Sequence, residues 1–298
     1  MRVASALLLS CTLALAACAG KSLPPAAAHS ATPPALTLHG RATTEGAIFA
    51  EARAADIVWL GEKHDNPEHH LLQARVLAAL VKAGARPAVV FEMIEDDKQS
   101  VLDALAARPS ATAADYRTAL DWDHSSWPAF AMYEPIFEVA LHAKLRIVAG
   151  NAPGALVKQV AFTGEGAGDL AKLPPDAEHD LEQELDAAHC GMLPADSLPA
   201  MALAQRVRDS RLAQHAREAE KTGVPRAVVI TGNGHARNDR GGPWEASRAE
   251  PTLHQFSISF HEAPADADPN QPYDAVWITS AMPPEDHCKN LKLRGAQR

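Results

Sequence analysis

Two tetrapeptides of the form Gly-x-x-His, Gly61-Glu62-Lys63-His64 and Gly232-Asn233-Gly234-His235, each follow a short apolar run rich in β-branched residues. Two further runs of the same kind end in Phe91-Glu92-Met93 and in Gly150-Asn151. Imidazoles and carboxylates together serve either metal ligation or acid–base chemistry. Glu62, His64, Glu92 and His235 would suffice to hold a divalent metal ion with open positions, or to move protons with Glu62 or Glu92 as the catalytic carboxylate. The competing reading is structural. A strand-end glutamate also accepts N–H bonds from a turn, with histidines hydrogen-bonding behind it. The glycines permit unusual backbone angles and close approach to a ligand.

These groups meet only if the runs are strands of one sheet. Residues 56–60, 87–92, 146–149 and 226–231 read as strands, and 256–260 and 273–279 as two late ones. Helical patterns separate them. Asn66-Pro67 offers an N-cap and a proline at the first helical position, opening a helix to about residue 82. Residues 95–107 form a second helix, and 198–222 the longest. Apolar strands alternating with helices imply an α/β fold, a mostly parallel sheet covered by helices on both faces. The Pro-containing helical stretches 109–140 and 170–199 are expected to add helical subdomain insertions over one end. Ligands of such open sheets bind beyond the carboxyl ends of the strands, so the four polar clusters should converge on one cleft. Gly164-Glu165-Gly166-Ala167-Gly168 follows a helical stretch and lacks the third spaced glycine of a dinucleotide site, so it reads as a loop. There is no serine nucleophile elbow.

The beginning of the chain carries a different signal. Arg2 precedes an apolar run, residues 3–17, that ends at Cys18. One positive charge, a short hydrophobic stretch and small residues before the break describe an export signal, since a spanning helix needs about 20 apolar residues. Leu15-Ala16-Ala17-Cys18 resembles a bacterial lipobox, whose cysteine carries palmitate-type acyl chains in the mature protein. Ala19 in place of an aspartate favours the outer membrane. The expected organisation is a signal peptide over 1–17, a lipidated Ala/Pro/Ser/Thr-rich tether over 18–38, and one domain over 39–298. Cys190 and Cys288 would remain as an even pair in an oxidising compartment. They read as one disulfide tying the C-terminal tail to the body, with a free thiol or a soft ligand as alternatives.

Composition narrows the partners. The 298 residues are 47% hydrophobic and 22% charged, which is ordinary globular usage. Lys+Arg 28 against Asp+Glu 37 leaves a net charge of −9 with no basic run. Such a chain has no electrostatic footprint for nucleic acid.

Several segments, in their order, resemble the ChaN-like haem-binding lipoproteins. They are IVWLGEKHDNPEHHLLQARVLAAL from Ile57, FEM at Phe91, W-x-x-F-x-x-Y-x-P-I from Trp127 and IVAGNAP from Ile147. HCGMLP at His189, AQRVRDSRLA at Ala204 and VITGNGHARNDRGGP at Val229 continue the likeness, which spans residues 56–279. The resemblance implies a surface protein of iron and haem acquisition. It implies two haems face to face across a homodimer, a tyrosine on each iron, a histidine from the partner subunit, and an outer-membrane haem receptor as partner. Tyrosinate is known chemistry for haem iron. Tyr133 is the ligand candidate, because its segment 130–137 is rich in the flat and soft side chains a porphyrin accepts. The alternative is that Phe130, Tyr133, Phe137 and Ala140 form a helical core stripe. His64 and His235 are the histidine candidates, and Arg208 and Arg237 the partners for propionates. His69 and His70 would be a second donor set. The same Gly-x-x-His pair is also similar to erythromycin-esterase-like and Tiki-type proteins. That wider likeness implies the alternative of a metal-dependent hydrolase, in which a metal-bound water is helped by one glutamate.

Overall fold

Residues 57–60 read Ile-Val-Trp-Leu, apolar on both sides, so the strand they form must be covered twice. The computed structural model describes residues 36–219, 225–263, 271–283 and 287–290. In it this segment is β3 (Ile57–Glu62), an inner strand of a sheet that has eight strands among the described residues. The sheet runs β2 (Arg41–Ala42), β1 (Leu36–Leu38), β8 (Ala275–Thr279), β7 (Gln255–Glu262), β3, β6 (Ala227–Gly232), β4 (Ala88–Glu95), β5 (Ile147–Asn151). From β8 to β5 every neighbouring pair is parallel, while β1 and β2 add an antiparallel edge. The fold is α/β.

Alternation along the strands supplies two cores. Val58, Leu60, Val89, Phe91, Val228 and Ile230 belong to one cluster. It also takes in α1 (Glu45–Ala54), α2 (Pro67–Lys82), α3 (Gln99–Ala106), α4 (Ala113–Ala119) and α5 (Phe130–His142). Ile57, Trp59, Val90 and Val229 face the opposite way, against α8 (Leu198–Glu218) and α9 (Gly242–Ala249). Smaller clusters join α6 (Gly154–Thr163) and α7 (Pro175–Ala188) to α8. Each fully buried Val, Leu or Ile contributes about 1.5–3 kcal/mol, which favours covering the sheet on both faces. The Pro-containing stretches lie within these layers, α4 and α5 on one side and α7 on the other.

Local chemistry fixes the key boundaries. The Asn66 side chain accepts from the backbone N–H groups of Glu68 (2.9 Å) and His69 (3.4 Å), so α2 starts directly after the first Gly-x-x-His. Leu36–Leu38, assigned above to the tether, instead pairs with β8, so the sheet begins inside that segment. Cys18 and the expected signal peptide lie outside the described residues. A disulfide joins Cys190 to Cys288 across a sequence separation of 98, holding the turn His287–Asn290 to the chain that leaves α7. Among the described residues no helix is long and apolar enough to cross a membrane.

Candidate functional site

Register brings the two Gly-x-x-His segments level. Glu62 on β3 is paired with Gly232 on β6, and Phe91 on β4 with Ile230, so Glu92 emerges beside Thr231. Each motif glycine makes room for the other motif. A Cβ on Gly61 would stand 2.6 Å from Oδ1 of Asn233, and one on Gly232 would stand 3.0 Å from the His64 ring. The strand ends open into a cleft of about 620 Å³ lined by Glu62, His64, Glu92, Trp127, Gln205, Arg208, His235 and Phe260, among others.

Glu62 is buried, with its hydrogen bonds gathered on one oxygen and the other accepting none among the described residues. Its Oε1 accepts from the Tyr133 hydroxyl at 3.0 Å and lies 2.9 Å from Nδ1 of His64. Its Oε2 lies 2.9 Å from Nδ1 of His70. Burial works to raise the Glu62 pKa, but the contacts with His64 and His70 outweigh it and hold the carboxyl below its usual range. His64 is held on one side only. Its side chain is 37% exposed, its ring stands edge-on to Trp127 at 5.1 Å, and Nε2 is 3.9 Å from Oε1 of Glu92. Burial disfavours charge on His64, yet Glu92 and Glu62 together raise its pKa.

The second carboxylate is enclosed more completely. Oε2 of Glu92 accepts from the Thr231 hydroxyl (2.8 Å) and the Gly232 N–H (2.7 Å). Oε1 takes the Arg208 guanidinium at 2.5 Å and lies 3.2 Å from Nε2 of His235. Arg208 is aimed by Asn151, whose Oδ1 accepts from its Nε at 3.2 Å. Nδ1 of His235 is 2.7 Å from Oδ1 of the buried Asp209. Burial opposes charge on His235, but Glu92 and Asp209 override it and raise its pKa to about 9. Glu92, despite burial, is held well below the usual carboxylate range by His235 and Arg208. Burial raises the Asp209 pKa despite its contact with His235, so Glu92, Arg208, His235 and Asp209 form one electrostatically coupled network.

The placement of the other candidates corrects several expectations. Tyr133 is 0% exposed, packed on Trp122 and His70, and donates its hydroxyl to Glu62. It offers no face to a ligand of porphyrin size, and burial raises its pKa and keeps the phenol protonated. Arg237 is held by Asp239 at 2.9 and 2.7 Å and by Glu184 at 3.2 Å, and it lines a neighbouring cleft with His261 and Tyr273. His69 and His70 are both buried rather than a donor set at the mouth. Nδ1 of His69 accepts from the Lys63 N–H (3.0 Å) and Nε2 of His70 donates to the His64 carbonyl (2.9 Å), so both lock the turn that carries His64. For metal, Glu62, His64, Glu92 and His235 line one cleft, but Arg208 already lies on the Glu92 oxygen that His235 approaches. Among the described residues no group of three or more His, Cys, Asp or Glu side chains is arranged to hold a metal ion. Asp209 and Gln205 were not assigned to the site from the sequence, and Trp127 was named only as the start of a family segment. Asn151 was expected at the cleft as the end of a strand, and it is there, accepting from Arg208.

A parallel α/β sheet with its polar cleft at the carboxyl ends of the strands defines a ligand-site architecture of the open-sheet class. The chain belongs to the family described as haem-binding uptake, Tiki superfamily, ChaN, whose model matches residues 48–245. Among solved structures it is similar to ChaN of Campylobacter jejuni, described with cofacial haem binding. The two share 19% identity and a TM-score of 0.69, over 82% of this chain and 95% of that one. A variant of erythromycin esterase EreC in its open conformation is similar at 14% identity over 83% of each chain, with a TM-score of 0.46. A succinoglycan biosynthesis protein follows at 12% identity over 72% of this chain and 67% of that one, with a TM-score of 0.42. No curated protein matches the chain.

The His235 network sets a pH dependence. Its folded pKa of about 9 lies above the unfolded value of about 6.5, so its stabilisation is fully present below pH ~6.5 and is lost as pH rises through ~9. His64 is shifted in the same direction. Chemical denaturation of the wild type should lose on the order of a few kcal/mol across that window, and His235→Asn should flatten the loss. A wild-type curve that is flat or rising there would contradict the network.

Proposed function

We propose that the chain binds haem in the strand-end cleft, with Nε2 of His64 as the atom that meets the iron. The observation that carries this is one imidazole whose Nδ1 is held by a buried carboxylate while its other edge opens to the cleft, in a chain of the haem-binding uptake family. The surroundings fit. Imidazole is a standard axial ligand for haem iron, and a carboxylate on its far nitrogen orients the ring and raises its basicity. Trp127, half-buried, supplies a flat wall, and Lys63 stands at the rim paired with Asp65 (3.0 Å) and Glu262 (3.2 Å), an ion pair that a ligand carboxylate would have to enter. A volume of about 620 Å³ lies in the range of roughly 300–1,000 Å³ usual for small-molecule sites. The tyrosine ligand implied by the family resemblance has no counterpart at this site. Tyr116 and Tyr133 are buried, and the Tyr273 hydroxyl donates to the Asn233 carbonyl at 3.0 Å. When bound, haem supplies a redox-active iron; the chain's own residues bind it, orient the ring of His64 and shape the walls.

Titrating the full-length protein in detergent with hemin should give a saturable Soret band at one haem per chain. His64→Ala should weaken binding at least tenfold, and Tyr133→Phe should retain it. If the haems lie face to face across a homodimer, loading should also double the mass measured by light scattering. No saturable change at micromolar hemin, or binding indifferent to His64→Ala, overturns the reading.

We further propose a lipid-anchored life in the bacterial envelope, at the outer membrane, where haem is exchanged with a receptor during iron acquisition. The support is residues 3–17 followed by Cys18, which suit export and lipidation. Several acyl chains on one cysteine hold a protein firmly, since each buried CH₂ adds about 0.8 kcal/mol. Metabolic labelling with palmitate should mark the wild type and not Cys18→Ala. Equal labelling of both excludes this anchor.

One observation favours a second reading, hydrolysis. Glu62 and His64 form an acid–imidazole pair with a free nitrogen in an open cleft, the geometry of a general base. The metal-dependent form of this reading requires Glu92 to be released from Arg208. In the form that uses the Glu62–His64 pair alone, protein stripped of metal and haem should cleave activated esters, losing about 10²-fold or more on His64→Ala. Activity that returns only with a divalent ion selects the metal-dependent form, and no turnover in either state removes hydrolysis.

A further inference from the structure

We propose that Tyr133 is a positioning residue for His64, acting through the carboxylate of Glu62 to set how strongly that imidazole donates to a bound iron. The inference rests on the haem reading above for its consequence, but its geometry stands without haem.

Two donors meet on a single oxygen. Oε1 of Glu62 takes the Tyr133 hydroxyl at 3.0 Å and Nδ1 of His64 at 2.9 Å. The phenol is fully buried, in contact with the His70 ring at 4.2 Å between centroids. Shielded from solvent, it keeps its O–H on Glu62. Nδ1 of His70 lies 2.9 Å from the other carboxylate oxygen, which accepts no hydrogen bond among the described residues, and Nε2 donates to the His64 carbonyl at 2.9 Å, so the His64 backbone is pinned. His64 therefore faces an acceptor oxygen whose strength is divided between two hydrogen bonds.

The sign of each perturbation follows. A carboxylate accepting from the far nitrogen of a metal-binding histidine raises the basicity of the ligating nitrogen. A second donor on the same oxygen draws off part of that negative charge. Removing the Tyr133 hydroxyl leaves Glu62 a stronger acceptor for His64, and neutralising Glu62 leaves a weaker one. Stronger donation from the imidazole favours ferric over ferrous iron. Tyr133→Phe and Glu62→Gln should thus move a bound haem in opposite directions, whereas loss of packing or fold would move both the same way.

The test has two readouts on the full-length protein. In the haem-free state, proton NMR should show the His64 Nδ1–H resonance far downfield. It should move further downfield in Tyr133→Phe and upfield in Glu62→Gln. In the hemin-loaded state, spectroelectrochemistry should show the reduction potential falling in Tyr133→Phe and rising in Glu62→Gln. An unchanged His64 resonance in Tyr133→Phe, or potentials displaced in the same direction, overturns the proposal. Failure of the wild type to bind hemin defeats the haem reading instead, while the resonance still decides whether Tyr133 acts on His64. Should one variant not fold, the sign of the other still tests the assignment.

Discussion

Two carboxylates buried at neighbouring strand ends, Glu62 and Glu92, constrain everything built above the sheet. An ionised carboxylate removed from water costs several kcal/mol unless donors surround it. Each therefore recruits partners from elements far apart in sequence. Glu62 draws on α2 through His70, on α5 through Tyr133 and on its own turn through His64. Glu92 draws on β6 through Thr231 and Gly232 and on α8 through Arg208. The helical layers on opposite faces are thus both tied to the same edge of the sheet. Apolar packing explains why the layers stay on the sheet. The carboxylates explain why α5 and α8 are held in register with the strand ends.

The same saturation sorts the chemistry. Four polar groups at strand ends look interchangeable on paper, as ligands or as acids and bases. In the folded chain they are not. Glu92 has donors on both oxygens, one of them a guanidinium, and His235 is clamped between Asp209 and Glu92. Those groups form a rigid, charged floor. His64 differs because only one of its nitrogens is engaged, and it stands where the floor meets the opening beside Trp127. An asymmetry in hydrogen bonding, rather than in residue type, separates the reactive imidazole from the structural one.

How far this was legible in the sequence depends on the range of each interaction. The inner strands announce themselves locally, as 57–60 does by being apolar on both faces, and the Asn66-Pro67 start of α2 needs only its own turn. Convergence of the strand ends follows from parallel pairing, a rule of topology. The short edge strands Leu36–Leu38 and Arg41–Ala42 have too few residues to show a period, and the first was absorbed into a Pro-rich tether. Asp209 sits in the string Arg206-Val207-Arg208-Asp209, where a surface ion pair is the default reading; only the passage of α8 over the strand ends turns it inward. Tyr133 was ambiguous for the opposite reason. Its helical stripe predicted burial and its segment suited a porphyrin, and hydrophobic periodicity cannot say which surface a phenol meets. The stripe reading is the one the fold realises, with the added hydrogen bond to Glu62 that no periodicity encodes.

The glycines of the two motifs acquire their meaning last. Neither Gly61 nor Gly232 has a positive φ, so neither is needed for an unusual backbone angle. What each provides is the absence of a Cβ opposite the other motif's side chain: Asn233 against Gly61, His64 against Gly232. Forcing a methyl group into such a contact typically costs 1–3 kcal/mol. It would also push His64 away from Glu92 or the 233–236 turn away from β3. The Gly-x-x-His pair is thus one interlocked device rather than two copies of a ligand motif. Its spacing reflects how closely two adjacent parallel strands can bring their turns together, which is why a single copy carries little information and two at matching registers carry a good deal.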